Sequence, residues 1–165
     1  MHSGIATGVA HSSATAIMAM RGRRVTAAPL RVDQHLGVLL VIQGHNDGVV
    51  APVNGSEAAR QWAAQRGAVP STPRIVRSGA RYPMTTTDYS SHGQLVVSLC
   101  EINGLGHAWS GGAAGHAYSD PKGPDASNMI WTFATRQFAF LEKLEKLEQL
   151  KLAENEKNSA YLDVA

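Results

Sequence analysis

Two short apolar runs and the polar breaks around them set the frame. Leu36–Ile42 reads LGVLLVI and stops at Gln43-Gly44. Its length and branching predict a strand buried on both faces, the kind found in parallel sheets. Gln94–Ile102, QLVVSLCEI, predicts a second strand, broken by Asn103-Gly104-Leu105-Gly106. Between them, Asn54 stands three residues before Glu57, a loose capping-box spacing. Ala58, Ala59, Trp62 and Ala63 then form an apolar stripe that Gly67 can close. The order strand, loop, helix is half of a βαβ unit.

Further signals flank that unit. Ser12 or Ser13 is placed to cap a short helix through Met20, closed by Gly22. Arg21, Arg23 and Arg24 follow, read as a solvated helix end in preference to an anion anchor. Pro70–Ser91 is punctuated by Pro70, Pro73, Gly79 and Pro83, which predicts loop with room for an irregular hairpin. A last helix is predicted from Asp125 or Ser127, with Ile130, Phe133, Ala134 and Leu141 on one face. The run FLEKLEKLEQLKLAENEKN continues it. Leu141, Leu144, Leu147 and Leu150 are three apart, so the stripe drifts about 60° per step and does not hold a heptad seam. Glu142 and Lys146 make a favourable i,i+4 pair. A solvated extension is preferred to a coiled-coil arm.

Composition sharpens this division. The chain has 165 residues, 44% apolar and 17% charged, enough to bury a core and too apolar for general disorder. Residues 1–140 carry ten Arg, one Lys and seven acids; residues 141–165 carry four Lys, no Arg and six acids. The expected organisation is a body over 1–140 and a helical, partly disordered tail over 141–165. The near balance of charge argues against a polyanion partner such as nucleic acid. No apolar run approaches the ~20 residues that span a bilayer, so no membrane partner is expected. One cysteine, Cys100, precludes an intramolecular disulfide framework and a cysteine-built zinc site. Met1–Met20 lacks a basic segment ahead of an unbroken apolar stretch and is not read as a signal peptide.

Chemistry concentrates in two loops, each following a strand: Gln43–Val50 (QGHNDGVV) and Asn103–Gly112 (NGLGHAWSGG). Sites in open α/β sheets lie outside the carboxyl ends of strands. Asp47 and His107 therefore stand where chemistry is usually done. A carboxylate beside an imidazole is the orienting half of a nucleophilic triad: the Asp fixes the tautomer, and the His takes the nucleophile's proton. An ordinary Asp-Gly turn and a solvent-facing loop histidine are the bland alternatives. The order Asp then His after successive strands is what favours the triad, since α/β-hydrolases run Ser, Asp or Glu, then His.

The string GLGHAWSGG at Gly104–Gly112, with DPKGPDAS at Asp120–Ser127 and Met129-Ile130-Trp131, resembles the C-terminal region of the polyhydroxybutyrate depolymerase family esterases. These are serine esterases related to feruloyl and acetylxylan esterases. VIQGHNDGVVAPVNG at Val41–Gly55 is similar to that family's acid loop, and His2-Ser3-Gly4 with Ala16–Arg21 to the segment before it. The resemblance covers about 1–138. It implies the C-terminal part of an α/β-hydrolase fold, parallel strands with packed helices. It implies Asp47 as triad acid, His107 as general base and Trp109 beside the acyl pocket. The activity implied is carboxylic ester hydrolysis on ester or short polyester substrates, in an extracellular setting and without a cofactor.

The departure is the nucleophile. The family places it in an upstream G-x-S-x-G elbow, and this chain contains no such string. Ala108-Trp109-Ser110-Gly111-Gly112 is only a look-alike, with no strand of its own to build the elbow. Ser3 and Ser12 lack the flanking glycines. The chain therefore reads as the C-terminal half of an esterase, inactive alone, with self-association expected through an exposed sheet edge or the 141–165 helix. A non-catalytic interaction module is the first rival. A metal-dependent hydrolase built on His2, His11, His35, His45, His92, His107 and His116 is the second, although none makes a recognised ligand spacing. Asp33-Gln34-His35 and His45-Asn46-Asp47 are read as adventitious binders. Cys100 is read as a small core residue.

Overall fold

The computed structural model describes residues 12–23 and 37–162. Those residues form a mixed α/β arrangement with one mixed sheet and three helices, the last of them long. The chain divides into two compact units, Met1–Met129 and Ile130–Ala165.

The first unit opens with α1 (Ser13–Met20), whose N-cap Ser12 and Thr15 exchange side-chain and backbone hydrogen bonds as a capping box. Gly22 follows at φ +75°, a left-handed position that suits glycine. Arg21 and Arg23 are exposed. Arg24 and Leu36 lie outside the described residues, as do Ser3, His2, His11 and the Asp33-Gln34-His35 group.

β1 (Leu39–Gly44) leads into α2 (Val53–Gln65), then β2 (Val69–Pro70), β3 (Arg74–Val76), β4 (Met84–Ser91) and β5 (Gln94–Ile102). The strand order is β1-β5-β4-β2, with β3 also on β4. β1 and β5 are parallel, in register from Leu39↔Val97 to Gly44↔Ile102, while β4 is antiparallel to β5. Ala59 and Ala63 of α2 pack with Val96, Val97 and Leu99 in the core, joined by Leu39, Val41, Trp62, Ala68 and Tyr89. Small residues on the helix let its backbone come close to the sheet.

Three expectations need correction. Pro70–Ser91 does hold an irregular hairpin, β3 against β4, but it is less loop than expected, since β4 runs for eight residues. β-branched Thr85, Thr86 and Thr87 pair with β5, and Thr86 and Thr87 are buried. β4 returns to β5 through His92 (φ +50°) and Gly93 (φ +76°), the two left-handed residues of a tight hairpin turn. Asn54 does not cap α2, whose N-cap is Pro52 without a side-chain bond. Its Nδ2 instead donates to the Met20 carbonyl at 2.8 Å and fastens α1. β1 is not buried on both faces: five of its six residues are only partly buried, because it is the outermost strand in this order.

After β5, the two-residue strands β6 (Trp109–Ser110) and β7 (Ser119–Asp120) pair in parallel. α3 (Ala126–Leu162) starts as predicted, and the second unit consists of its continuation. There Trp131, Phe138, Leu141, Leu150 and Leu152 are exposed. Among the described residues no helix is long and apolar enough to cross a membrane.

Candidate functional site

The parallel pair β1 and β5 ends side by side at Gly44 and Ile102, so the Asp47 and His107 loops leave the sheet at one edge. The loops are laced by backbone: His45 N–H donates to the Ile102 carbonyl at 2.9 Å and Asn46 N–H to the Leu105 carbonyl at 3.0 Å. Gly44 makes this approach possible, since a Cβ there would run into the Leu105 and Gly106 carbonyl oxygens.

Asp47 is held at both oxygens. Its Oδ1 accepts from the Val49 and Val50 amides, each at 2.8 Å. Its Oδ2 lies 2.9 Å from His107 Nδ1. Burial pushes its carboxyl up, but the hydrogen bond to His107, the Val50 and Val49 amides and the His107 charge together outweigh that and hold it below the usual value. The group is thus an acceptor-only carboxylate at neutral pH, and the proton between the two rests on Nδ1. In the neutral imidazole Nε2 is then the basic nitrogen. The Asp47 side chain is 14% exposed and that of His107 42%. The carboxylate is shielded while the imidazole is open to an incoming group.

The His107 ring also meets Tyr118, with ring centroids 5.8 Å apart and planes at 83°. Tyr118 has a left-handed backbone at φ +56°. Sequence reasoning missed it, because neither the backbone conformation nor the ring contact leaves a local pattern. Trp109 projects from β6 with 52% of its surface exposed, and its backbone amide donates to the Tyr118 carbonyl at 2.7 Å.

No protein-family model matches the chain, and no curated protein matches it. The site is therefore read from its own atoms.

Ser110 is 2% exposed, and its hydroxyl donates to the Pro124 carbonyl. That buried bond explains the neighbouring glycines. A Cβ on Gly111 would meet the Pro124–Asp125 backbone, and one on Gly123 would meet the Ser110 side chain. The A-x-S-x-G look-alike is thus a close crossing of two loops. Ser12 is the α1 cap.

Below the dyad lies a polar cluster that the sequence did not announce. Gln43 Nε2 donates to Glu101 Oε1 and to Ser56 Oγ, both at 3.0 Å, tying β1, β5 and α2 together near the strand ends. Gly55 leaves room for the Gln43 side chain. Among the described residues, no group of three or more His, Cys, Asp or Glu side chains is arranged to hold a metal ion. His45, His92 and His116 are exposed, and His92 is the hairpin residue. Cys100 is buried beside Thr86 and Ser98, and burial pushes its thiol up, away from reactivity.

Proposed function

We propose that this chain supplies the acid–base half of a serine carboxylic ester hydrolase of the α/β-hydrolase type. Asp47 orients His107, and His107 is the general base and then the general acid. The observation that carries the reading is the 2.9 Å contact of Asp47 Oδ2 with His107 Nδ1, at the carboxyl ends of two adjacent parallel strands. Spare backbone donors hold the other carboxylate oxygen, as an orienting group requires.

The nucleophile comes from a G-x-S-x-G segment outside this sequence. Its serine Oγ attacks the ester carbonyl while His107 Nε2 takes the hydroxyl proton. The proton passes to the leaving alkoxide and the alcohol departs. Water then attacks the acyl-enzyme, again giving its proton to Nε2, and the acid is released as the serine regains a proton. Ester or short polyester bonds are the proposed substrates, a reading supported by two exposed aromatic residues, Trp109 and Tyr118, the second of them packed on the His107 ring. The resemblance around His107 makes an extracellular setting part of the same proposal.

The test combines this chain with a G-x-S-x-G polypeptide encoded in the neighbouring DNA, read in every frame. The pair is expected to hydrolyse p-nitrophenyl butyrate and to take a fluorophosphonate label on serine, and His107→Ala in this chain is expected to abolish both. Hydrolysis that survives His107→Ala would overturn the reading. A second reading, a non-catalytic interaction module, is favoured by the exposed Trp131, Phe138 and Leu150 of the second unit. It gains if no elbow is encoded and deletion of 141–165 dissolves an oligomer.

A further inference from the structure

Tyr118 is an expensive residue with little to do in packing. It is 74% exposed, so its ring contributes little to a core. Its backbone lies at φ +56°, where a residue with a Cβ is strained and glycine is not. The segment nevertheless holds it firmly. The Tyr118 carbonyl accepts from Trp109 N–H, and Ser119 pairs with Trp109 and donates its hydroxyl to the Ala113 carbonyl at 2.8 Å. Its ring makes one aromatic contact among the described residues, the near-perpendicular packing on His107. Centroids 5.8 Å apart at 83° fall within the favoured edge-to-face range for aromatic pairs. Strain held by surrounding bonds, with a side chain aimed at one functional group, is the pattern of a residue kept for the site and not for the fold.

We propose that Tyr118 is a positioning residue for the His107 imidazole. Asp47 fixes one edge of the ring through Nδ1, and the Tyr118 ring limits rotation of the imidazole away from that bond. Asp47 alone leaves His107 free to pivot, because 42% of the histidine side chain is open to solvent. The two contacts together hold Nε2 outward in one orientation. The catalytic meaning of this rests on the esterase reading, but the positioning itself can be observed in the chain alone.

The test is a two-bond ¹H–¹⁵N correlation spectrum of the full ¹⁵N-labelled chain, with the His107 signals assigned by their loss in His107→Ala. The wild-type chain is expected to show one sharp imidazole pattern, with the proton on Nδ1. Tyr118→Gly keeps the left-handed backbone and relieves its strain, so it folds at least as well. It is expected to lose the single pattern and to give nitrogen shifts averaged between the two tautomers. Tyr118→Phe and Tyr118→Trp are expected to restore it, since the ring and not the hydroxyl makes the contact. A Tyr118→Gly spectrum that keeps the wild-type His107 pattern overturns the proposal. Asp47→Ala separates the two ideas. If it scrambles the tautomer while Tyr118→Gly does not, only the role of Tyr118 falls. If neither change disturbs His107, the dyad itself falls, and the esterase reading with it.

Discussion

β5 and the tail of α3 both carry repeated leucines, yet their apolar side chains end in opposite environments. In β5, Val96, Val97, Leu99 and Ile102 are all 4% exposed or less. In the helix, Leu141, Leu147, Leu150 and Leu152 are 52%, 44%, 67% and 63% exposed. β5 is the more apolar, with six such residues in nine against nine in 22 over 141–162, and geometry widens the difference. β5 has β1 on one side and β4 on the other, with α2 packed over the core face, so its side chains meet neighbours from three elements. The leucines of the helix step by three residues, so their stripe walks around the axis and offers no fixed face. Burial, and with it the energetic weight of a residue, is set by non-local pairing. The candidate site stands at the end of the buried segment, where the tight register of β1 and β5 fixes the loops.

The largest effect should come from the dyad. In the esterase assembly proposed above, Asp47→Asn is expected to lower kcat by about 10⁴, because an amide in place of the carboxylate favours the wrong imidazole tautomer. His107→Ala should cost at least as much. This chain alone should hydrolyse p-nitrophenyl acetate no faster than its own His107→Ala variant. A clear excess in a stopped-time assay would mean that a nucleophile exists within the chain.

Next comes the buried strand. Ile102 is fully buried, and its carbonyl receives the His45 N–H. Ile102→Ala should cost about 2–5 kcal/mol in chemical unfolding, from lost burial plus the cavity. Gly44→Ala should cost about 1–3 kcal/mol by overpacking, since the added methyl meets two carbonyl oxygens. It should also shift the Asp47 and His107 amide resonances together. A neutral result for either change would mean that β1 and β5 do not control the loops.

A smaller effect is electrostatic. The folded state holds the Asp47 carboxyl below its ordinary value, with burial opposing and the His107 and amide contacts prevailing. Its contribution to stability is therefore complete above the ordinary aspartate range near pH 4. It is lost as pH falls through the lower folded value. The stability gap between wild type and Asp47→Asn should narrow as pH falls below about 4. A gap that does not narrow between about pH 4 and pH 2 would contradict the contacts assigned to Asp47.

The same contrast explains what the sequence could disclose. β5, the core of β1, α2 and the α1 cap were legible because each leaves a local mark: an apolar run, an Ala stripe, a Ser with a hydroxyl partner three residues on. Asp47 and His107 were legible as loop residues after strands. β4 was hidden because MTTTDYSS is polar, and its strand character lies in β-branched threonines that only pairing with β5 reveals. Asn54 looked like a cap because its spacing is local, while its actual partner, Met20, is 34 residues away. Tyr118 and the Gln43–Ser56–Glu101 cluster depend on backbone crossings that no periodicity encodes.

The smallest effect should be in the helix, and it is the one that can break the comparison. Leu147, Leu150 and Leu152 are largely exposed, and glutamine has nearly the helix propensity of leucine. Each Leu→Gln change should therefore move the unfolding free energy by no more than about 0.5 kcal/mol. The i,i+4 spacing of Glu142 and Lys146 forms no ion pair among the described residues, so Lys146→Ala should move stability no further than the leucine changes. Thermal unfolding followed by circular dichroism, with sedimentation at several protein concentrations, measures both terms. If the triple Leu→Gln variant melts with the wild type at every concentration, the segment is a solvated extension whose apolar residues have no partner. If instead it loses several kcal/mol, and the wild-type Tm climbs with concentration, the leucines are buried against another copy in solution. The helix would then share the property that distinguishes β5, burial by non-local pairing, and the interaction-module reading would gain the support that its exposed side chains now only suggest.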